Sequence, residues 1–271
     1  MRAGLVLLAA LGVAALAAPL AGGWLGHDAF APDLFNRFAE PSAAHPLGTD
    51  DLGRDVLLRL LHGARVSLAV GLAAALVATI VGTAAGLYAA WRGGWPDALL
   101  MRVADGMLAL PALPLLVILA ALDPSALGLP RGEALADMIR IAGLLALFGW
   151  VGVARLVRAT ALSVLARDFV RAARALGVGE GRLLWRHVLP QLGPPVAVAT
   201  ALAVGGAILA ESALSFLGLG IAPPAPSWGN MLANAQELVF RSPLAALWPG
   251  LAILLAVLAC NLVADGVARR R

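Results

Sequence analysis

Six long apolar runs constrain this chain more than any other feature of its sequence. They cover residues 3–25, 66–90, 103–122, 141–154, 192–210 and 244–262. A helix needs about 20 apolar residues to cross a hydrocarbon core about 30 Å thick, and its backbone must satisfy itself there. The expected fold is therefore an all-α polytopic membrane protein with six transmembrane helices. Charged residues make up only 13% of the chain and hydrophobic ones 61%, against roughly 25% charged in soluble domains, so a soluble fold would lack polar surface.

The runs differ in quality. The first is longer than the 7 to 15 apolar residues of a signal peptide and leads into further spans, so a retained helix is expected. After it come a polar, proline-containing stretch at 26–46 and the segment LGTDDLGRDVLLRLLH at 47–62. Thr49 can cap a short helix there, with Leu52, Val56 and Leu60 on one face, lying along the membrane interface. The chain then divides into 1–65, a first span with an external segment and interfacial helix, and 66–271, the main membrane domain. In the second run Gly82 and Gly86 have the spacing that lets two helix backbones approach closely. Asp105, Pro111 and Pro114 interrupt the third, which predicts a broken helix packed against protein. The fourth holds 14 apolar residues, about 21 Å of helix, and needs Met138, Ile139 and Leu156 plus snorkelling of Arg140 and Arg155 to reach across.

All 20 basic side chains are arginine. The absence of lysine excludes the GxxxxGK[ST] phosphate loop, Schiff bases and lysine general bases. Cys260 is the only cysteine, and His27, His45, His62 and His187 lie in separate segments without H-E-x-x-H spacing. Neither a disulfide nor a metal centre is expected, and no cofactor. The main rival, an intramembrane enzyme, lacks a nucleophile and base at compatible depth; a passive channel is the other rival. Placing the N-terminus in the cytoplasm puts 13 arginines and five acids inside, net +8, and leaves seven arginines and 11 acids outside, net −4. Both termini are thus expected in the cytoplasm, with 30–47 and 223–240 facing outward. The overall charge of +4 could suggest nucleic acid, but in a membrane protein the distribution of arginine matters more than the sum, and membrane lipid, not nucleic acid, is the expected partner. Trp24, Trp91, Trp95, Trp150 and Trp248 fall near span ends, where aromatic belts form.

Between the fourth and fifth spans, 155–191 carries seven arginines and a regular apolar pattern. Phe169, Ala172, Ala173 and Leu176 recur at helical spacing, with Arg167, Arg171 and Arg174 opposite. Gly177 and Gly179 let this amphipathic helix stop, Glu180 starts a second one carrying Leu183, Leu184 and Val188, and Pro190 is expected to end it. A helix pair resting on anionic lipid and a docking element for a soluble partner both fit these residues. Two acids stand apart. Glu211, at the outer end of the fifth span, is read either as a pathway charge or as a buried partner for an arginine or backbone group, and Asp105 as a structural partner of Arg102 or Arg155.

Five stretches, in order, resemble the bacterial binding-protein-dependent ABC transporter permeases, specifically the second membrane subunit of dipeptide, oligopeptide and nickel importers. They are HPLGTDDLGRDVLLRLLHGARVSLAVG at 45–71, RVADGMLALPALP at 102–114, DFVRAARALGVGEGRLLWRHVLPQL at 168–192, ESALSFLGLGIAPPAPSWGNML at 211–232 and WPGLAILLAVLACNLVADGVARR at 248–270. The resemblance implies a non-enzymatic subunit forming half of a translocation pathway in a bacterial inner membrane. It implies a second homologous permease subunit, two ATP-binding subunits that hold ATP and magnesium, and an external solute-binding protein. Small peptides are the implied cargo, with nickel or another small solute as the alternative. The family loop pattern, EAA, three residues, G, nine residues, I-x-L-P, falls on Arg171, Ala172, Ala173, Gly177, and His187 to Pro190, within a coupling loop at about 160–190. Phe169, Arg171, Ala172, Ala173, Leu176, Gly177, Leu183 and Pro190 are the implied ATPase-coupling residues. Arg171 and His187 depart from the family's glutamate and isoleucine.

Overall fold

The computed structural model describes residues 1–122, 133–233 and 240–269, and among them every regular element of three residues or more is helical. We number the α-helices α1 (Arg2–Leu25), α2 (Val56–Arg92), α3 (Gly94–Ala109), α4 (Ala112–Ala121), α5 (Ala134–Leu165), α6 (Asp168–Ala175), α7 (Glu180–Leu183), α8 (Leu189–Phe216) and α9 (Pro243–Ala268). Five helical stretches are long and apolar enough to cross a membrane. The pair α3 and α4, bent by 86°, meets the same criterion only when taken together and is the sixth candidate crossing. The break is local chemistry: Leu110, ahead of Pro111, is extended, as a residue before proline prefers, and α4 starts afresh at Ala112. The broken third span expected from the prolines is present, and α4 buries Leu116 and Ala120 against α5 and α8.

Three expectations are corrected. The separate interfacial helix at 47–62 does not exist: α2 runs unbroken for 37 residues, about 55 Å, across the proposed division at 65/66. Its cap is the Asp55 carboxylate, which accepts from the Leu58 N–H at 2.9 Å, while Thr49 is spent in the preceding loop, donating to the Asn36 carbonyl and accepting from the Ala39 N–H. The short fourth span belongs to a 32-residue helix, α5, about 48 Å long. Pro190 does not end a helix, because a π-helical turn at Leu184–Val188 joins α7 to α8 and 180–216 forms one helical stretch. In that widened turn the Leu189 N–H reaches back five residues to the Leu184 carbonyl, so Pro190 enters the first turn of α8, where no N–H is required.

Helix packing is built on small residues, as expected where lipid removes most of the hydrophobic drive between helices. A Cβ at Gly82 or Gly86 would strike the carbonyl oxygens of Trp150 and Ala154, so the paired glycines of α2 are the seam against α5. On the other flank of the bundle, Gly4 of α1 abuts Ala259 and Val263 of α9, and Gly266 abuts Met1. Both described chain ends therefore lie at one end of the bundle, as an even number of crossings requires. Residues 234–239, within the stretch expected to face outward, lie outside the described residues, as do Arg270 and Arg271.

Candidate functional site

The connection from α5 to α8 forms the first candidate site. Asp168 opens α6, and Gly177 closes it with φ +79°, the left-handed geometry that glycine adopts without penalty. The Val178 N–H bonds the Ala173 carbonyl at 3.1 Å and the Gly177 N–H bonds the Arg174 carbonyl at 2.9 Å, a Schellman stop. One face of α6, Val170 and Ala173, is buried in a cluster with Val164 of α5, Leu183, Leu184 and Val188. This cluster continues to Ala90 at the end of α2 and Leu192 in α8, so the small helix is keyed into three long ones.

The sequence-predicted apolar face is divided by this packing. Ala173 turns inward, whereas Phe169, Ala172 and Leu176 face out, Phe169 41% and Leu176 84% exposed. Leu183 is fully buried and belongs to the core of the loop, and Pro190 is exposed. Val170, the inward anchor, and Trp185, 75% exposed, were missed; a helical wheel extended by one position from Phe169 and past Glu180 holds both. The arginines ring this surface. Arg174 makes a two-pronged pair with Glu180 at 2.9 and 3.3 Å, and Arg171 pairs with Asp168 at 3.1 Å while donating to the Ala166 carbonyl. Arg171 thus serves the local turn, where the family has an acid.

At the other end of the bundle the polar groups are folded inward. Glu211 is wholly buried and accepts from Ser67 of α2 at 2.9 Å and from Ser215, one turn along α8, at 2.7 Å. Its buried partners are thus serine hydroxyls, and the arginine or backbone partner expected from sequence is not bonded to it among the described contacts. Ser67 accepts from the Trp228 N–H and Ser215 from the Ile221 N–H, so the carboxylate sets the hydroxyls that hold the 217–232 loop over the helix ends. Trp228 is 1% exposed, and its indole donates to the Leu60 carbonyl. Glu211 is therefore a keystone under a cap.

The same cap is clasped by Arg140, which does not snorkel. It donates to the carbonyls of Ala120, Leu219 and Gly220 at 3.0 to 3.3 Å, satisfying oxygens left free at the end of α4 and in the loop. Asp137, one turn earlier, accepts from the Ala222 N–H at 3.1 Å. Residues 28–55 complete the cap: Arg54 and the nearly buried Arg59 both bond Asp50, and His45 bonds Asp55 at 2.9 Å. Near the opposite end, Asp105 meets Arg155 at 3.3 Å, the second of its two expected partners, with both side chains more than half exposed. A tighter pair, Asp97 with Arg158, was not anticipated.

Between the two ends, a cavity of about 300 Å³ lies among α2, α4, α5 and α8, walled by Ala74, Ala78, Phe148, Gly206 and similar small or apolar residues with no charged group. Among the described residues no cluster of three or more potential metal ligands occurs.

Comparison with known proteins bears on both ends. Residues 82–270 match the family described as binding-protein-dependent transport system inner membrane component. The chain is 42% identical over 253 residues to a probable peptide ABC transporter permease of Sinorhizobium fredii, covering 93% of this chain and 81% of that protein. It is 38% identical over 233 residues to the dipeptide transport system permease DppC of Alkalihalophilus pseudofirmus, covering 86% and 73%. Over 227 residues it is 36% identical to the glutathione transport system permease GsiD of Pectobacterium atrosepticum, covering 84% and 72%.

Proposed function

The chain belongs to the binding-protein-dependent transport system inner membrane components and is a multi-pass ABC importer permease, and on that premise we propose that it carries small peptides and is driven through α6. In this reading it forms half of the pathway and a second homologous permease forms the other half. Two ATP-binding subunits, which hold ATP and magnesium, supply the energy. An external solute-binding protein delivers the cargo. The chain sits in a bacterial inner membrane with both termini and α6 in the cytoplasm, the side favoured by the arginine asymmetry.

Peptide cargo is supported by the printed names of the relatives, which include peptide, dipeptide and glutathione permeases. The uncharged walls of the central cavity fit a passage that selects little by charge, which leaves selection to the binding protein. Competition of labelled dipeptide uptake by unlabelled dipeptides, oligopeptides and nickel tests the cargo. Inhibition by the peptides is expected, and inhibition by nickel alone overturns it.

One observation carries the coupling role: α6 is anchored by Val170 and Ala173 to three spans while Phe169, Ala172 and Leu176 stay uncovered on its outer side. A push on the outer face is thereby delivered to α5, α8 and the end of α2. Docking of Leu176 in a groove of an ATPase subunit is worth roughly 1.5 to 3 kcal/mol, and valine at position 177 would be forced into a left-handed backbone. Leu176→Ala and Gly177→Val chains should insert in the membrane, yet recover ATPase subunits poorly in pull-downs and lose uptake. Full ATPase recovery with both variants removes the coupling role. A phenotype governed by anionic lipid content would instead favour a helix pair lying on the bilayer.

A further inference from the structure

A groove of about 620 Å³ runs down the flank of the bundle between α1, α2 and the start of α5. Its walls are apolar, formed by Leu16 of α1, Leu68 and Leu72 of α2, Met138 of α5 and Phe30 of the cap. Two side chains differ, His62 and Arg65, which lie one turn apart on α2. His62 packs edge-on against the Phe30 ring, with centroids 5.2 Å apart. Arg65 is exposed and makes no ion pair among the described residues, whereas Arg59, less than two turns earlier, is held by Asp50.

Depth gives the arrangement its meaning. Arg65 immediately precedes the apolar run 66–90, so its guanidinium stands at the boundary between hydrocarbon and headgroups. Leu72 lies seven residues further, about 10 Å deeper into the hydrocarbon. A cation at the boundary, above an apolar slot descending from it, matches a phospholipid: a phosphate takes a charge-assisted, two-pronged bond from arginine, and an acyl chain fills the slot.

A protein helix is the competing occupant of such a slot, and the exposed guanidinium of Arg65 at its mouth favours a lipid, which brings a phosphate to that level.

We propose that this groove binds one anionic phospholipid, with its phosphate on Arg65 and an acyl chain along Leu68 and Leu72 against Leu16. The lipid would tie α1 to α2 and α5 in the leaflet remote from α6. This inference requires only that the chain spans a membrane; neither the cargo nor the coupling role enters it.

The test uses the full-length chain purified in detergent, titrated with dioleoylphosphatidylglycerol or dioleoylphosphatidylcholine, with thermal unfolding and native mass spectrometry as readouts. Phosphatidylglycerol should raise the unfolding temperature and be retained at one molecule per chain, with phosphatidylcholine doing less. Arg65→Gln should weaken the apparent affinity roughly tenfold or more, the loss of one charge-assisted bond. Arg65→Lys should retain most of it. Leu72→Trp fills the slot with the arginine intact and should also displace the lipid, which preserves the test if Arg65→Gln does not accumulate. Equal shifts with both lipids, or an Arg65→Gln chain that binds phosphatidylglycerol like the parent, overturn the proposal. So does an efficient cross-link, in intact membranes, from Leu72→Cys in a Cys260→Ser background to another protein chain.

Discussion

The two ends of this bundle treat polarity in opposite ways. At the cap end Glu211, Asp137, Arg59 and Arg140 are buried or nearly so and bonded within the chain, and Trp228 is sealed beneath its loop. At the α6 end the charged side chains pair while exposed, the Arg171–Asp168 pair at 71% and 97% and the Arg174–Glu180 pair at 43% and 47%, and Phe169, Leu176 and Trp185 are uncovered. An end that satisfies its own polar groups needs no partner for them, although Phe35 of its 28–55 segment stays fully exposed. One that exposes Leu176 and Trp185 beside arginines leaves its remaining burial to another molecule. The difference is the one expected if, as proposed above, α6 is the end that meets the ATPase subunits.

Glu211→Ala is the most direct way to break the contrast. It strands the hydroxyls of Ser67 and Ser215, and at about 1 to 3 kcal/mol for each unsatisfied buried group the cost is roughly 2 to 6 kcal/mol, read as a lower unfolding temperature in detergent. Glutamine at that position keeps an acceptor and should cost less. Next comes a pair of glycines. A Cβ at Gly229 meets the Ser212 backbone at 2.5 Å while one at Gly181 meets nothing within 4 Å. Gly229→Ala should therefore lose about 1 to 3 kcal/mol, whereas Gly181→Ala should gain up to about 1 kcal/mol.

Within α6 the two faces can be separated. Val170→Ala removes two buried methyl groups and should cost about 2 kcal/mol. Leu176→Ala should change the stability of the isolated chain by less than about 0.5 kcal/mol, so any loss of ATPase recovery reflects docking and not unfolding. Equal destabilisation by both would mean that α6 has no free face. The smallest effect expected is Arg174→Gln. Its partner is nearly half exposed, and the pair should contribute no more than about 1 kcal/mol, less at high salt, in the same unfolding assay.

Much of this was legible because membrane insertion reads local sequence. Hydropathy placed five long crossings and the bent pair, proline placed the break at 110–111, glycine spacing marked a close-packing face on α2, and Gly177 announced its left-handed turn. Errors arose where a segment's fate depended on what followed it in space. The 47–62 stretch reads as amphipathic, yet its helical half continues into a span because Arg59 finds Asp50 in the loop and Trp228 lies against Gly63. Arg140 reads as a snorkelling end, yet its partners are carbonyls 20 and about 80 residues away.

The sequence by itself determined that the chain crosses the membrane, where it breaks, which end carries the excess of arginine, and that one loop is amphipathic. These properties depend on side-chain transfer energies and backbone sterics, which act over one or a few helical turns. Only the tertiary structure decided that Ala173 faces in while Leu176 faces out, and that Glu211 is held by serines beneath a cap. It also decided that Arg65 stands over a groove with no ion pair among the described residues. Each of these depends on which distant segment arrives to accept a proton, fill a gap or leave one, and one of the two bonds that settle Glu211 joins positions 144 residues apart. Helical periodicity identifies the faces of a helix, but their burial is set by the partner that packs there.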